Sequence, residues 1–277
     1  MSSYERYERT AADYDRTRWP IGLEIITGCL SMAGASLETM TLLDAGCGTG
    51  NYARALIDRV ARIEAVDLSE GMLEVVRAKL AGAIADGRAV LHRAPIDALP
   101  LDDASVDGAM VNQVLHHLSD DPAAGWPAHR RAFGELARVL RPGGVLVLNT
   151  CSHAQTMDGH WAYHLIPRAR AAILDRLMPL DAIEWALGDA GLEPRGRFVP
   201  ADAVLQGESY FDPRGPLRAE WRAGDSIWAL VEDAELAVLE DLLRWLDARA
   251  ELDSYLRAHD AKRPDIGQIT MLHVVRP

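Results

Sequence analysis

From Thr41 to Thr150 short apolar runs alternate with longer stretches in which apolar residues recur every three to four positions. That rhythm predicts buried parallel strands flanked by helices. The strands fall at Thr41–Ala45 (TLLDA), Arg62–Val66 (RIEAV), Ala89–His92 (AVLH), Val106–Val111 (VDGAMV) and Gly144–Asn149 (GVLVLN), and the helices at Asn51–Val60, Gly71–Ala85 and Trp126–Leu140. Arg141-Pro142-Gly143-Gly144 closes the last helix by removing a donor and supplying flexible turn positions. After Thr150 the rhythm changes. Cys151–Pro179, rich in His, aromatic and Arg residues, reads as a lid; Pro179–Ala190 reads as a helix closed by Gly191, and Leu192–Val199 as a strand. Ala201–Arg263 is too long for a bare loop and has helical periodicity around Ala234–Ala248, so it is expected to be a structured insertion. Gln268–Val275 returns to the sheet as an antiparallel strand.

Composition narrows the function. With 49% hydrophobic and 25% charged residues and dispersed Gly and Pro, the chain is globular. A net charge of −12 disfavours a surface that tracks phosphates, so nucleic acid is not an expected partner. No apolar stretch is long enough to span a bilayer, and the polar, charged start MSSYERYERTAADYDRTRW lacks the apolar core of a signal peptide; a cytoplasmic protein with no membrane contact is the expectation. Cys29, Cys47 and Cys151 are widely spaced, which fits a reducing compartment and no zinc site or disulfide frame.

The most informative stretch is Leu42–Asn51, LLDAGCGTGN. A buried strand runs into Gly46, Gly48 and Gly50, where missing side chains let the backbone turn tightly and approach a ligand, and the next helix presents unpaired N–H groups. An ordinary glycine turn and a dinucleotide-binding GxGxxG loop are the competing readings. Here the spacing is Gly-x-Gly-x-Gly, with Asp44 two residues ahead, and neither feature belongs to the dinucleotide pattern.

On these residues the sequence resembles the class I S-adenosylmethionine-dependent methyltransferases, in particular the small-molecule branch related to the ubiquinone-biosynthesis enzymes (the methyltransferase type 11 domain). The resemblance runs over most of residues 1–150. It implies a Rossmann-like, doubly wound sheet of seven strands, mostly parallel with an antiparallel last strand, carrying a helical lid and insertion. It divides the chain into a cofactor-binding core with a covering N-terminal segment (1–150) and a lid, an insertion and completing strands of the same domain (151–277). By resemblance, the turn of Gly46, Cys47, Gly48, Gly50 and Asn51 lies against the methionine part of S-adenosylmethionine, and Asp44 holds its ammonium. Asp67, ending the second strand in EAVDLSEGML, can accept hydrogen bonds from two vicinal ribose hydroxyls; Ser69 fits the alternative role of helix cap better. Leu68 and Met72 line the adenine slot or, equally, are core.

His92–Pro100, HRAPIDALP, resembles the stretch that usually carries an Asp-Ala pair beside adenine, but Pro95 occupies the acid's position. The acceptor for the exocyclic amine is then a backbone carbonyl or Asp97, and the backbone of Ala94, Pro95 and Ile96 is assigned to the ring. Val106–Leu118, VDGAMVNQVLHHL, brings Asn112, Gln113, His116 and His117 to the strand ends where open α/β sheets hold ligands. A neutral His116 or His117 could take a proton from an attacking hydroxyl or amine, or simply orient the cofactor and cap the turn. RVLRPGG (Arg138–Gly144) completes the resemblance as architecture. In ERTAADYDRTR, Tyr14 and Arg18 either fold over the cofactor or belong to a solvated amphipathic helix.

Outside that half the signals are weaker. Trp19, Trp161, Tyr163, Trp221 and Trp228 could wall an aromatic acceptor pocket or form core. His160 and His164 could share a helix face, yet no third ligand accompanies them, so no metal is expected. Cys151 raises the question of a soft acceptor, with a small buried residue as the plainer reading. The resulting expectation is methyl transfer from S-adenosylmethionine to an O, N or S atom of a small molecule, giving S-adenosylhomocysteine, driven mainly by proximity and orientation. A scaffold or sensor that binds the same cofactor without turnover shares every loop motif, and a nicotinamide oxidoreductase is remote. The sequence is silent on the acceptor and the oligomeric state.

Overall fold

The computed structural model describes residues 19–277. Seven strands form one sheet: β1 (Thr41–Ala45), β2 (Arg62–Asp67), β3 (Ala89–Arg93), β4 (Val106–Asn112), β5 (Leu140–Thr150), β6 (Glu193–Phe198) and β7 (Thr270–Val275). Their order is β3-β2-β1-β4-β5-β7-β6. The pairs from β3 to β5 are parallel, while β7 runs antiparallel to both β5 and β6. The doubly wound, Rossmann-like sheet with an antiparallel last strand is therefore present, and chain order reverses between β1 and β4. Such a reversal leaves a crevice beyond the carboxyl ends of the strands.

The central strands β1, β4 and β5 are largely apolar and buried because helices cover the sheet on both faces, whereas the edge strand β6 (EPRGRF) is mostly exposed. On one face Leu43, Val66, Val111 and Leu148 pack with Phe133 and Leu136 of the helix Pro127–Val139 and with Ile183 and Leu187 of the helix Leu180–Asp189. On the other, Leu42, Ile63, Met110 and Val147 meet Ile26 and Leu30 of the helix Leu23–Leu30 and Leu73 and Val76 of the helix Glu70–Lys79. A third core belongs to the segments after β5, where Trp161, Tyr210, Trp221, Trp228 and Leu243 come together.

Several sequence expectations shift by a few residues. Strand β5 starts at Leu140, four residues early, because Leu140 pairs with Val106 across a register shift and Gly143 exchanges backbone bonds with Gly34 and Arg276. The expected helix Gly71–Ala85 breaks at Leu80 into Glu70–Lys79 and Ala81–Ala85. The expected helix Asn51–Val60 ends at Leu56. In the lid, the helix His153–Asp158 is opened by a reciprocal cap in which Gln155 N–H donates to Ser152 Oγ and the Gln155 side chain accepts the Ser152 N–H. Gln155 Nε2 donates onward to the carbonyls of Ile266 and Ile269, tying the lid to the approach of β7. The insertion carries a helix at Asp233–Asp247.

Candidate active site

The chain leaves β1 through a turn that only glycine can make without strain. Gly46 has φ 76°, and a Cβ placed there would lie 2.5 Å from a methyl of Val114. The turn is then stitched to β2: the Gly46 and Cys47 N–H groups both donate to the Val66 carbonyl, at 2.8 and 2.9 Å. Gly48 N–H donates to Asp67 Oδ2 at 2.8 Å, and Gly50 N–H to the Cys47 carbonyl at 2.9 Å. These four amides are used inside the fold. The turn therefore presents a side-chain-free concave backbone ahead of the helix Asn51–Leu56.

Asp44, at the end of β1, is 1% exposed, and its Oδ2 has no hydrogen-bond partner among the described residues. Burial first, then the neighbouring Asp67, pushes its carboxyl up to about 7, against the pull of the Ala53 N–H. An orphaned buried carboxyl beside a backbone hollow suits a cationic ligand group. Burial, with Asp44 and Asp67 adding to it, also pushes the Cys47 thiol up, so it stays protonated and inert. Asp67 closes β2. Its Oδ1 accepts the Ser69 N–H at 2.8 Å while Oδ2 holds Gly48, so the carboxylate braces the turn. Ser69 is the helix cap, accepting the Met72 N–H at 3.4 Å.

The residues that the sequence assigns to the adenine side gather around that strand end. Ala94 N–H donates to the Asp67 carbonyl at 3.1 Å; Ala94 and Ile96 are buried and Pro95 half-buried. Met72 is buried and Leu68 half-buried. Asp97, the alternative acceptor, is engaged by Arg131 at 3.0 Å on the outer surface. Asn51 accepts from Lys79 at 2.6 Å. Tyr14 and Arg18 lie outside the described residues.

After β4 the chain turns through Gln113, whose φ of 55° is left-handed, into a short turn of 3-10 helix, Leu115–His117. His116 is buried and His117 half-buried, their rings 4.1 Å apart. They open onto a small, partly open pocket whose core side adds Gln113 and Cys151 and whose lid side adds Tyr163, Ile173, Asp225, Ser226 and Ile227. Ser226 Oγ lies 3.4 Å from His116 Nε2, and Tyr163 Oη donates to Asp225 Oδ2 at 2.8 Å.

Sequence reasoning missed Asp225 and Ser226, which lie 110 residues from His116 in the case of Ser226. It also missed Asn149 and Tyr52, which bond to one another behind Gln113 at 3.4 Å. Only the position of Asn149 at a strand end could have marked it. Of the two readings for the tryptophans, core holds for Trp161, Trp221 and Trp228, which build the core of the segments after β5; Trp19 is 63% exposed, and Tyr163 lines the pocket. His160 and His164 share no α-helix. Trp161–Leu165 is 3-10, so His160 stacks on Tyr163 while His164 faces His259. No group of three metal-ligating side chains occurs among the described residues, and no helix there is long and apolar enough to cross a membrane.

Residues 43–148 match the methyltransferase domain family. A malonyl-[acyl-carrier protein] O-methyltransferase of Serratia marcescens is 35% identical over 182 residues, 65% of this chain and 64% of that protein. A demethylmenaquinone methyltransferase of Clavibacter sepedonicus is 31% identical over 179 residues, 64% of this chain and 69% of that protein. The chain thus spans roughly two thirds of the length of these relatives. Among solved structures, a putative methyltransferase from an antibiotic biosynthesis pathway of Anabaena variabilis has the same fold at 22% identity, with a TM-score of 0.72 over 94% of this chain and 99% of that one. The matched stretch contains the glycine turn, both acidic strand ends and the double histidine described above, and on that match the chain belongs to the class I S-adenosylmethionine-dependent methyltransferase family.

Proposed function

We propose that this chain transfers the methyl group of S-adenosylmethionine to an O, N or S atom of an uncharged or cationic small molecule held between the turn after β4 and the lid. One observation carries the reading: the segment that bears His116 and His117 touches the glycine turn, since Val114 sits where a Gly46 Cβ would be. The crevice beside Asp44 and the pocket under the lid therefore adjoin.

Asp44 fits the ammonium of the cofactor's methionine part, and Asp67 its ribose. S-adenosylmethionine supplies an already activated methyl on a sulfonium sulfur. The task left to the protein is to hold the acceptor in line in a closed pocket, an effect that reaches about 7–11 kcal/mol of barrier lowering in the best intramolecular cases. The acceptor's lone pair bonds to the methyl carbon as the carbon–sulfur bond breaks, and S-adenosylhomocysteine leaves. Where the acceptor is a hydroxyl or protonated amine, His116 or His117 takes the proton. Asp225 stands in the wall, and neither Lys nor Arg lines the pocket among the described residues. A carboxylate or phosphate acceptor would lose its hydration there with only the two histidines to pair with, so a neutral or cationic acceptor fits the pocket better.

The test is labelled methyl transfer from S-adenosylmethionine into a metabolite extract, with the product identified by mass. Methylated neutral or basic compounds and stoichiometric S-adenosylhomocysteine are expected. Binding without product from any extract would instead identify a cofactor-binding scaffold.

A further inference from the structure

We propose that Asn149 is a positioning residue that locks the turn carrying Gln113, His116 and His117 against the glycine-turn helix, so that the methyl donor side and the acceptor side of the site keep a fixed separation. The inference rests on the methyl-transfer reading for its consequence and on geometry for its substance.

Asn149 sits at the carboxyl end of β5, paired in register with Asn112, in a strand that is otherwise apolar from Val145 to Leu148. It is fully buried, where a leucine or valine would pack and an amide must find partners. Its groups all meet the site. The main-chain carbonyl accepts the Gln113 N–H at 2.9 Å, and Oδ1 accepts Gln113 Nε2 at 2.8 Å. Nδ2 donates to Asn112 Oδ1 and to Tyr52 Oη, both at 3.4 Å.

Two features make this more than core satisfaction. First, Gln113 is left-handed at φ 55°, a conformation that costs a side-chain-bearing residue free energy and persists only where surroundings over-determine it. Asn149 grips Gln113 by both main chain and side chain. Second, the other end of the same amide reaches Tyr52 in the helix Asn51–Leu56, which the glycine turn opens. One side chain therefore bridges the element beneath the cofactor crevice and the element that lines the acceptor pocket. Loss of that bridge would let the β4 turn relax away from its left-handed start and carry the histidines with it.

The experiment is a double-mutant cycle of Asn149→Leu and Gln113→Gly, because glycine takes the left-handed conformation unaided. Methyl transfer from saturating labelled S-adenosylmethionine into a metabolite extract is followed beside amide hydrogen exchange. With Gln113 in place, Asn149→Leu is expected to slow transfer at least tenfold and to speed exchange at the His117 and Leu118 amides at least tenfold, with the β1 amides unchanged. When Asn149→Leu is instead added to the Gln113→Gly variant, both effects should shrink to less than threefold. Asn149→Asp, which keeps the acceptor for Gln113 Nε2, should protect the turn better than leucine and serves if the leucine variant fails to fold. Equal losses in both backgrounds, or exchange that rises throughout the sheet, would assign Asn149 to core stability and overturn the proposal. Absence of transfer by the unaltered protein would defeat the methyl-transfer reading alone, since the exchange arm needs no acceptor.

Discussion

Asp67 Oδ2 accepts the Gly48 N–H at 2.8 Å while its Oδ1 accepts the Ser69 N–H at the same distance, so one carboxylate holds two half-buried backbone donors from two different turns. Each charge-assisted bond of this kind contributes about 1.5–3 kcal/mol. Asp67→Ala should therefore destabilise the unliganded protein by about 2–5 kcal/mol in denaturant unfolding and remove measurable S-adenosylmethionine binding in calorimetry. Asp67→Asn should not rescue either property, because its NH2 group would face a backbone N–H. Unfolding unchanged by Asp67→Ala would show that the carboxylate serves ligand alone.

Asp44 makes opposite demands on the empty and the filled site. Its carboxyl is raised to about 7 by burial and by Asp67, whereas in the unfolded chain it titrates near the ordinary value of about 4. Between those values the folded state holds the extra proton, so the unliganded protein loses stability as pH rises from about 4 to about 7. The loss is on the order of 4 kcal/mol at its largest. Asp44→Asn should remove it, melting higher than the parent at pH 8 and alike at pH 4. The ammonium of S-adenosylmethionine selects the ionised form, so affinity should weaken as pH falls below about 7 in the parent and be low at every pH in Asp44→Asn. Parallel melting curves for the two proteins across that window would remove the basis for this account.

Gly46 combines two constraints that a single substitution can separate. Alanine there would meet Val114 at 2.5 Å and would also occupy φ 76°, which costs a residue with a Cβ about 1–2 kcal/mol. Gly46→Ala should be strongly destabilising and lose cofactor affinity. Adding Val114→Ala should relieve the clash but leave the backbone cost. Full recovery in the double variant, read from thermal melting, would show that close packing alone selects glycine.

The parts of this site that were legible in sequence are those built locally. A strand, three glycines and a helix start within ten residues fix the turn around Asp44, and the sequence bounds strands β1 to β4 to within one residue because each is a short apolar run set off from its flanking helices. What escaped was set by partners distant in the chain. Leu140 joins β5 because Val106 lies opposite, and Asp97 is engaged by Arg131. Asn149 acquires its meaning from Tyr52, and Asp225 from Tyr163; the spacing of residues along one element carries no trace of either pairing. The tryptophans illustrate the same limit, since their burial in a separate lid core depends on how the segments after β5 pack together.

The lid bond between Tyr163 Oη and Asp225 Oδ2, at 2.8 Å, lies in the wall of the pocket beside His116, which is proposed to take the acceptor, and both residues are buried. Asp225 also caps the short helix Ser226–Leu230 by accepting the Ile227 N–H, so its position fixes Ser226 opposite His116. Tyr163→Phe removes the hydroxyl donor while keeping the ring that stacks on His160. The expected cost in stability is about 1–3 kcal/mol, that of withdrawing a partner from a buried polar group. Because Asp44 and Asp67, proposed to hold the cofactor, lie in β1 and β2 and not in the lid, S-adenosylmethionine affinity should stay within threefold, while the acceptor concentration needed for half-maximal transfer rises at least fivefold. A fall in cofactor affinity equal to the fall in acceptor affinity would mean that the lid shapes the whole crevice and that Tyr163 is no specific element of the acceptor pocket.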